Sequence, residues 1–129
     1  MLGALALDIE RLPKENEFIV VDAITNLAGY SQDQSIVGFF SACKRVCAKG
    51  RTVVVVAHSY AFDESMLVRL SAVCDAHLKL RVGKVRDKVV RILEVVKTNS
   101  VELNRDNTVS FEVEAGSGIR IIPFSQAKV

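Results

Sequence analysis

The chain has 129 residues, of which 50% are hydrophobic and 25% are charged, and its formal net charge at pH 7 is +2. This length predicts one domain, and the small net charge does not single out a nucleic-acid partner. The apolar runs are much shorter than the roughly 20 residues of a membrane-spanning helix. The apolar stretch that starts at Leu2 meets Asp8 and Glu10 too early for a signal peptide. We therefore predict a soluble, cytoplasmic domain without direct membrane insertion.

The three cysteines do not indicate a disulfide framework or a four-ligand zinc site, because their number is odd and they do not form two close pairs. Cys43 and Cys47 lie four residues apart and would share one helix face, a spacing that allows a thiol or metal site. Free cysteines more often behave as small buried hydrophobic residues. We favour that role for both, and also for Cys74.

The first half of the chain begins with a helical pattern followed by strand patterns. Residues 2–12 have apolar side chains at helical spacing, and Pro13 ends this helix. Phe18–Val21 and residues 53–57 are continuous apolar runs rich in branched side chains. Such runs predict strands that are covered on both faces, as in a parallel sheet.

A second helix is predicted between these two strands, over residues 34–48. Its apolar positions recur every three or four residues, Ser31 and Asp33 are candidate N-caps, and Gly50 stands just past its end. The order of strand, helix and strand predicts a right-handed crossover that places the two strands side by side and parallel.

The second half of the chain shows the alternating pattern that is typical of an antiparallel sheet. A helix is predicted over residues 63–74, and strands follow at residues 78–82, 88–97, 108–114 and 119–122. Residues 88–97 would also suit a helix, but β-branched side chains favour a strand. Turns are predicted at residues 83–87, where a hairpin would form, and at residues 104–107 and 115–118.

Polar side chains follow both predicted parallel strands. Four apolar residues followed by Asp22 form a Walker B pattern, and His58 ends the next strand. Parallel strands end at the edge of the sheet where ligands bind, so Asp22 and His58 would meet there, and Thr25 and Asn26 would add hydrogen-bonding capacity. The motif is loosely specified, since an acid can merely cap a loop and a histidine can be structural. We interpret His77 as a surface or turn residue.

The sequence lacks a phosphate-cradling loop of the form G-x-x-x-x-G-K-[ST]. Its one Gly-Lys pair, Gly83 and Lys84, has Leu78 five residues ahead of the glycine and is followed by Val85. We therefore expect that this chain alone does not bind a nucleotide tightly.

Four segments together carry a family resemblance. They are the Walker B segment 19–25, the segment 53–64 around His58, residues 74–82, and the tail 109–123 with Ala127 and Lys128. From Phe18 onward the sequence resembles the second half of a RecA-like ATPase of the KaiC group, and within that group the accessory ATPases of the archaellum, the archaeal flagellum. The resemblance covers nearly the whole chain, and the tail and the His58 segment are its most specific parts.

The resemblance implies an α/β fold of the three-layer, RecA-like P-loop NTPase type. The fold would be partial, with parallel strands and crossover helices followed by antiparallel C-terminal strands. It also implies ATP and Mg2+ as cofactors, with Asp22 holding Mg2+ through water and His58 as a sensor-type residue. Lys97 stands where relatives have a lysine that reaches the adjacent subunit's nucleotide, although Asn99 replaces the arginine that follows it in their Lys-x-Arg pair.

The implied biology is an accessory or regulatory component of the archaellum motor. Such a protein forms a homo-oligomeric ring, a hexamer when intact, at the cytoplasmic base of the archaellum with the motor ATPase and a membrane platform protein. In the family, the phosphate loop precedes the segment that starts here at Leu2. We therefore expect residues 1–129 to be the C-terminal portion of one ATPase domain, inactive alone, with a degenerate paralogue as the alternative. The high hydrophobic content fits apolar surface meant for another piece or subunit.

Two other functions compete with this hypothesis. One is a DNA-binding module of the RecA/RadA type, for which five basic residues cluster around the predicted hairpin: Lys79, Arg81, Lys84, Arg86 and Lys88. A charged, solvated sheet edge explains the same cluster, and the small net charge disfavours DNA. The other is a non-catalytic ring or interaction domain whose site residues are vestigial.

Overall fold

The computed structural model of the chain describes residues 1–99 and 107–123. These residues form two compact units, which divide between Cys74 and Asp75. The single domain expected from the chain length stays a prediction. Of the predicted features, residues 104–106 of one turn and the tail residues Ala127 and Lys128 lie outside the described residues.

The first unit contains two parallel strands and four α-helices. Its elements are α1 (Leu2–Arg11), β1 (Phe18–Val21), α2 (Thr25–Ala28), α3 (Asp33–Ala48), β2 (Thr52–Val55) and α4 (Glu64–Val73), with a short 3-10 turn at Ser59–Ala61. Ile19 of β1 lies opposite Val53 of β2, and Val21 lies opposite Val55. The predicted parallel pairing is therefore confirmed, whereas α2 and the 3-10 turn were not predicted.

Helix α3 is the centre of the first unit, because α1, α4 and β2 all pack against it. Phe39 is fully buried, and its ring meets that of Phe40 edge-on with the centroids 5.8 Å apart. The buried residues of this core are Leu2, Ile9, Ile19, Ile24, Ala28, Ile36, Phe39, Phe40, Cys43, Val46, Met66 and Leu70. The helical spacing of apolar residues in α3 predicted the side that faces this core.

The two parallel strands are covered on one face only, so the prediction of strands covered on both faces is wrong. Ile19 is buried and Val53 is partly buried, and both pack in the core. On the opposite face Phe18 is 65% exposed and Val20 is 54% exposed. A continuous apolar run has no alternation that could reveal this difference between the two faces.

The ends of α3 differ partly from the prediction. Its N-cap is Gln32, which makes no side-chain capping bond, so neither Ser31 nor Asp33 is the cap. Asp33 instead occupies the first turn, where a negative charge is favourable beside the exposed N–H groups. Gly50 stands just past the C-terminus with φ +87°, a conformation that glycine adopts without steric cost.

The second unit is a four-stranded antiparallel sheet of order β3-β4-β5-β6. Its strands are β3 (Ala76–Val85), β4 (Lys88–Thr98), β5 (Thr108–Glu114) and β6 (Gly118–Ile122). The strand interpretation of residues 88–97 is confirmed, and the helix alternative is wrong. The described turn between β5 and β6 also confirms the prediction for residues 115–118.

The hairpin between β3 and β4 turns at two residues rather than over 83–87. Val85 pairs with Lys88, and the turn residues Arg86 and Asp87 have φ of 49° and 65°. Positive φ at both positions is characteristic of the type I′ two-residue hairpin. Gly83 belongs to β3, where an added Cβ would lie 2.7 Å from Cδ1 of Ile92. This glycine therefore makes room for a core side chain of the neighbouring strand.

The sheet of the second unit has a small core on one face. Val85, Val90 and Ile92 are buried there, with Ile122 packed against them. On the same face Arg120 forms ion pairs with Glu112 and Glu114, at 2.7 and 2.9 Å. The hydrogen bond from Arg120 lowers the pKa of Glu112 below its ordinary value. The predicted period-two alternation is confirmed, but apolar residues of the pattern such as Leu80 and Val82 lie on the exposed face opposite this core.

None of the helices in residues 1–99 and 107–123 is both long and apolar enough to span a bilayer.

The start of α4 gives a test of local stability. Asp63 Oδ1 accepts a hydrogen bond from the backbone N–H of Met66 at 2.7 Å, which satisfies one N–H at the helix start. We expect Asp63→Ala to lower the free energy of unfolding by about 1 kcal/mol and Asp63→Asn, which keeps an acceptor, to lower it much less. Urea unfolding of the three proteins measures both effects. Equal losses in the two variants would show that this bond does not stabilise α4.

Candidate functional site

The candidate site lies where the two parallel strands end. Beyond the last paired residues, the backbone N–H of Val56 donates to the carbonyl of Val21 at 2.9 Å, and that of Ile24 donates to the carbonyl of Val56 at 3.0 Å. These bonds hold the segment after β1 against the segment after β2. The predicted meeting of the two strand ends at one edge is therefore confirmed.

Asp22 follows β1 directly and its side chain is exposed. The peptide bond between Asp22 and Ala23 is cis. A single accessible carboxylate suits Mg2+, which usually takes one or two protein carboxylates and completes its shell with water and phosphate oxygens. Among the described residues no group of three or more potential ligands could hold a metal by itself. Asp22 could therefore supply one protein ligand to such an ion, with water and other oxygens completing its shell.

Thr25 and His58 are in direct contact at this edge. The Thr25 hydroxyl oxygen lies 2.8 Å from His58 Nδ1 and also accepts a hydrogen bond from the His58 backbone N–H at 3.0 Å. Thr25 is the first residue of α2, and the preceding Ile24 is fully buried and fixes the start of this helix. His58 comes immediately before the 3-10 turn. The structure thus brings together Thr25 and His58, two of the residues predicted to bind the cofactor.

Tyr60 is a neighbour of the site that the sequence analysis did not single out. Its ring centroid is 5.5 Å from that of His58, with the ring planes inclined by 39°. Tyr60 is 84% exposed, so it covers one side of the imidazole without burying it. The 3-10 turn, in which the Ala61 N–H donates to the His58 carbonyl, brings the two rings together. In an extended strand, side chains two positions apart share a face but are separated by about 6.6 Å along the strand.

Lys97 belongs to the second unit, where it lies in β4 opposite His77 of β3. Nearby, the Asn99 amide donates to the carboxylate of Asp75 at 3.3 Å. His77 is thus a strand residue, and its half-buried ring has Nδ1 without a hydrogen-bond partner in the described part of the chain. The role of Lys97 toward a nucleotide stays a prediction.

A surface hollow of about 510 Å3 lies at the opposite end of the strands. It is lined by residues that flank the strand beginnings, among them Glu17 and Arg51. Arg51 donates to the carbonyl of Leu12 there, and Glu10 at its rim pairs with Arg45. Ligands of open α/β sheets bind at the carboxyl ends of the strands, so this hollow is not the candidate site.

The chain shares its α/β fold with solved proteins of the KaiC-like and FlaH kinds. It superposes on a KaiC-like protein of Pyrococcus horikoshii with a TM-score of 0.68 and 15% identity, over 95% of this chain and 57% of that one. It superposes on the flagellar accessory protein FlaH of Methanocaldococcus jannaschii with a TM-score of 0.75 and 17% identity, over 95% and 54%. The predicted fold class is thereby confirmed.

The sequence narrows this likeness to FlaH. The chain is 30% identical over 115 residues to the archaeal flagellar ATP-binding protein FlaH of Sulfolobus acidocaldarius, a match that covers 89% of this chain and 50% of that protein. No family model matches the chain. The chain spans about half the length of the relatives that it matches. The predicted resemblance to the archaellum-associated members of the KaiC group is confirmed.

The cysteines form no ligand set within the described residues. Cys43 is buried in the core of the first unit, and no disulfide joins it to Cys47 or Cys74. Burial above all, with the nearby Cys47 and Cys74 acting in the same direction, raises the pKa of the Cys43 thiol to about 11. A thiol that stays protonated is a poor nucleophile and a poor metal ligand, so Cys43 acts as a hydrophobic residue.

This raised pKa predicts a loss of stability in alkali. Between pH 9 and 11 the thiol ionises in the unfolded chain, where its pKa is ordinary, before it ionises in the folded one. The free energy of unfolding should therefore fall as the pH rises over this range. In Cys43→Ala, which has no thiol to ionise at this position, the free energy of unfolding should fall less steeply with pH. Urea unfolding at several pH values measures the difference in slope. Parallel slopes for the two proteins would contradict a protonated, buried Cys43.

Proposed function

We propose that this chain supplies the Walker B edge of an ATP-binding accessory protein of the archaellum motor, similar to FlaH. The observation that carries the proposal is the 30% identity to the archaeal flagellar ATP-binding protein over 89% of this chain. The polar groups at the ends of β1 and β2 support it, because they stand where open α/β folds bind their ligands. In this proposal the protein acts at the cytoplasmic base of the archaellum.

At this edge Asp22 would hold Mg2+ through water, and His58 would donate a hydrogen bond to a phosphate oxygen. Bound Mg2+ would neutralise charge on the phosphates of ATP. Thr25 would hold the imidazole in place through the two hydrogen bonds that it forms with His58. Lys97 would act toward the nucleotide of a neighbouring subunit in a ring, which we propose to be hexameric.

The proposed site is a partial one, because the 129 residues contain no G-x-x-x-x-G-K-[ST] loop to cradle the phosphates. Asp22 and His58 provide one ion ligand and one neutral or cationic donor, whereas phosphate loops provide a series of backbone N–H groups and a lysine. We therefore propose that the chain does not hydrolyse ATP alone and that it has a regulatory or assembly role.

ATP with Mg2+ should accordingly raise the melting temperature of this chain by less than about 2 °C at about 1 mM nucleotide, because weak ligands add little stability. Differential scanning fluorimetry measures this shift, and phosphate release measures turnover. The FlaH of S. acidocaldarius serves as a positive control, and Asp22→Asn tests whether any small shift depends on the carboxylate. A shift of several degrees, or turnover that Asp22→Asn abolishes, would contradict the partial site.

The archaellum role predicts partners that can be captured. A tagged chain expressed in an archaeon that builds archaella should retrieve the motor ATPase and the membrane platform protein, whereas the tag alone should not. Asp22→Ala separates this proposal from a non-catalytic interaction domain. If nucleotide binding controls assembly, the folded variant should retrieve less motor ATPase. Unchanged retrieval by Asp22→Ala favours the interaction domain, and no retrieval by the natural chain contradicts the archaellum role.

In the described part of the second unit, the basic residues of the DNA-binding alternative do not all gather on one face. The register of β3 and β4 places Lys79, Arg81 and Lys88 on one face of the sheet and Lys84 on the other. Arg81 also lies 3.9 Å from Glu94, which offsets its charge. A DNA-binding surface needs basic side chains gathered along one face, where they can contact successive phosphates.

A further inference from the structure

The contact between Thr25 and His58 indicates which ring nitrogen of His58 carries the proton. The Thr25 oxygen accepts a hydrogen bond from the His58 backbone N–H, because a backbone N–H can only donate. The same oxygen lies 2.8 Å from His58 Nδ1, and this second bond can run in either direction. A threonine hydroxyl has one hydrogen to donate and two lone pairs to accept with.

Only one direction pairs every group of this contact within the protein. If the hydroxyl donates to Nδ1, its oxygen accepts from the His58 backbone and its hydrogen has an acceptor. If Nδ1 carried a proton and donated it, the hydroxyl hydrogen of the half-buried Thr25 would have no acceptor among the partners that the structure gives it. In that arrangement the hydroxyl hydrogen would be left to water, because the contact lies at the surface, whereas the first arrangement pairs all three groups within the protein.

We infer that Thr25 is a positioning residue that fixes His58 in the tautomer with the proton on Nε2. Because Nδ1 is occupied as an acceptor, the exposed ring presents Nε2–H as a hydrogen-bond donor. The ligand class that such a donor takes at this edge is an anionic oxygen, such as one of a phosphate group. The tautomer follows from the hydrogen bonds alone, and only the identity of the ligand rests on the proposed function.

Two further contacts restrict the orientation of the imidazole. The backbone of His58 is held by the same hydroxyl that holds its ring, so rotation of the ring away from Thr25 would break one bond and keep the other. The Tyr60 ring covers one side of the imidazole at a centroid distance of 5.5 Å. Thr25 thus acts through His58 and does not itself need to contact the ligand, in contrast to the ligand-binding role expected from the sequence.

Nitrogen-15 NMR of the imidazole rings tests the inference in the ligand-free chain. The chain has only two histidines, so His77 is an internal reference, and His77→Gln assigns the signals. At a pH of about 8.5, where histidine side chains are neutral, protonated and acceptor nitrogens have distinct chemical shifts. We expect His58 to show a protonated Nε2 and a hydrogen-bonded acceptor at Nδ1. A predominant Nδ1–H form would overturn the inference.

Two substitutions then test whether Thr25 is responsible. Thr25→Val keeps the branched shape but removes the hydroxyl, and it should change the His58 tautomer ratio about fivefold toward Nδ1–H, as the loss of one hydrogen bond implies. Thr25→Ser keeps the hydroxyl and should leave the ratio as it is. His77 should not respond to either. If Thr25→Val has no effect in a folded protein, the inference fails, and if that variant does not fold, the natural chain and Thr25→Ser still decide the tautomer.

A titration with ATP and Mg2+ separates this inference from the proposed function. A change in the Nε2 shift of His58, without a change at His77, would support nucleotide contact at the edge. If the tautomer is as inferred but ATP changes neither histidine, the nucleotide site is contradicted while the positioning role of Thr25 stands. If ATP shifts His58 but Nδ1 proves to be the donor, the positioning role fails alone.

Discussion

The site depends on the register of the two parallel strands. Ile19 opposite Val53 and Val21 opposite Val55 place the apolar side chains of both strands on the face that α3 covers. A slip by one residue would turn each of these side chains to the other face. It would also move His58 relative to Thr25, and the hydroxyl could no longer reach both the backbone and the ring of the histidine. Burial of the core thus fixes a polar contact at the end of the sheet.

The sequence predicted this edge well, since a strand, a helix and a second strand have one favoured connection. It could not predict the bond between Thr25 and His58. That bond requires a helix that starts at Thr25 and a 3-10 turn that follows His58, and both are shorter than the windows in which periodicity is detectable. Tyr60 was missed for the same reason, because its proximity to His58 depends on the 3-10 turn.

Burial was harder to predict than secondary structure. Phe18 and Val20 have the composition of a strand covered on both faces, yet both are exposed. In the second unit Leu80 and Val82 are 68% and 70% exposed, on the face opposite the small core around Ile92. The high hydrophobic content of the chain is thus spread over sheet faces as well as cores. Composition reports how many apolar residues exist but not which surface they cover.

The polar edge combines the exposed carboxylate of Asp22 with the hydrogen-bonded hydroxyl–imidazole pair of Thr25 and His58. A ligand oxygen that meets Nε2–H would find a donor whose orientation is already fixed by Thr25, so little reorganisation would accompany the contact. A freely rotating histidine would first have to lose that freedom on binding. The carboxylate of Asp22 repels anions unless a cation lies between them. In the function proposed above, the two groups would together favour an anion that arrives with its metal ion, as a nucleotide bound with Mg2+ does.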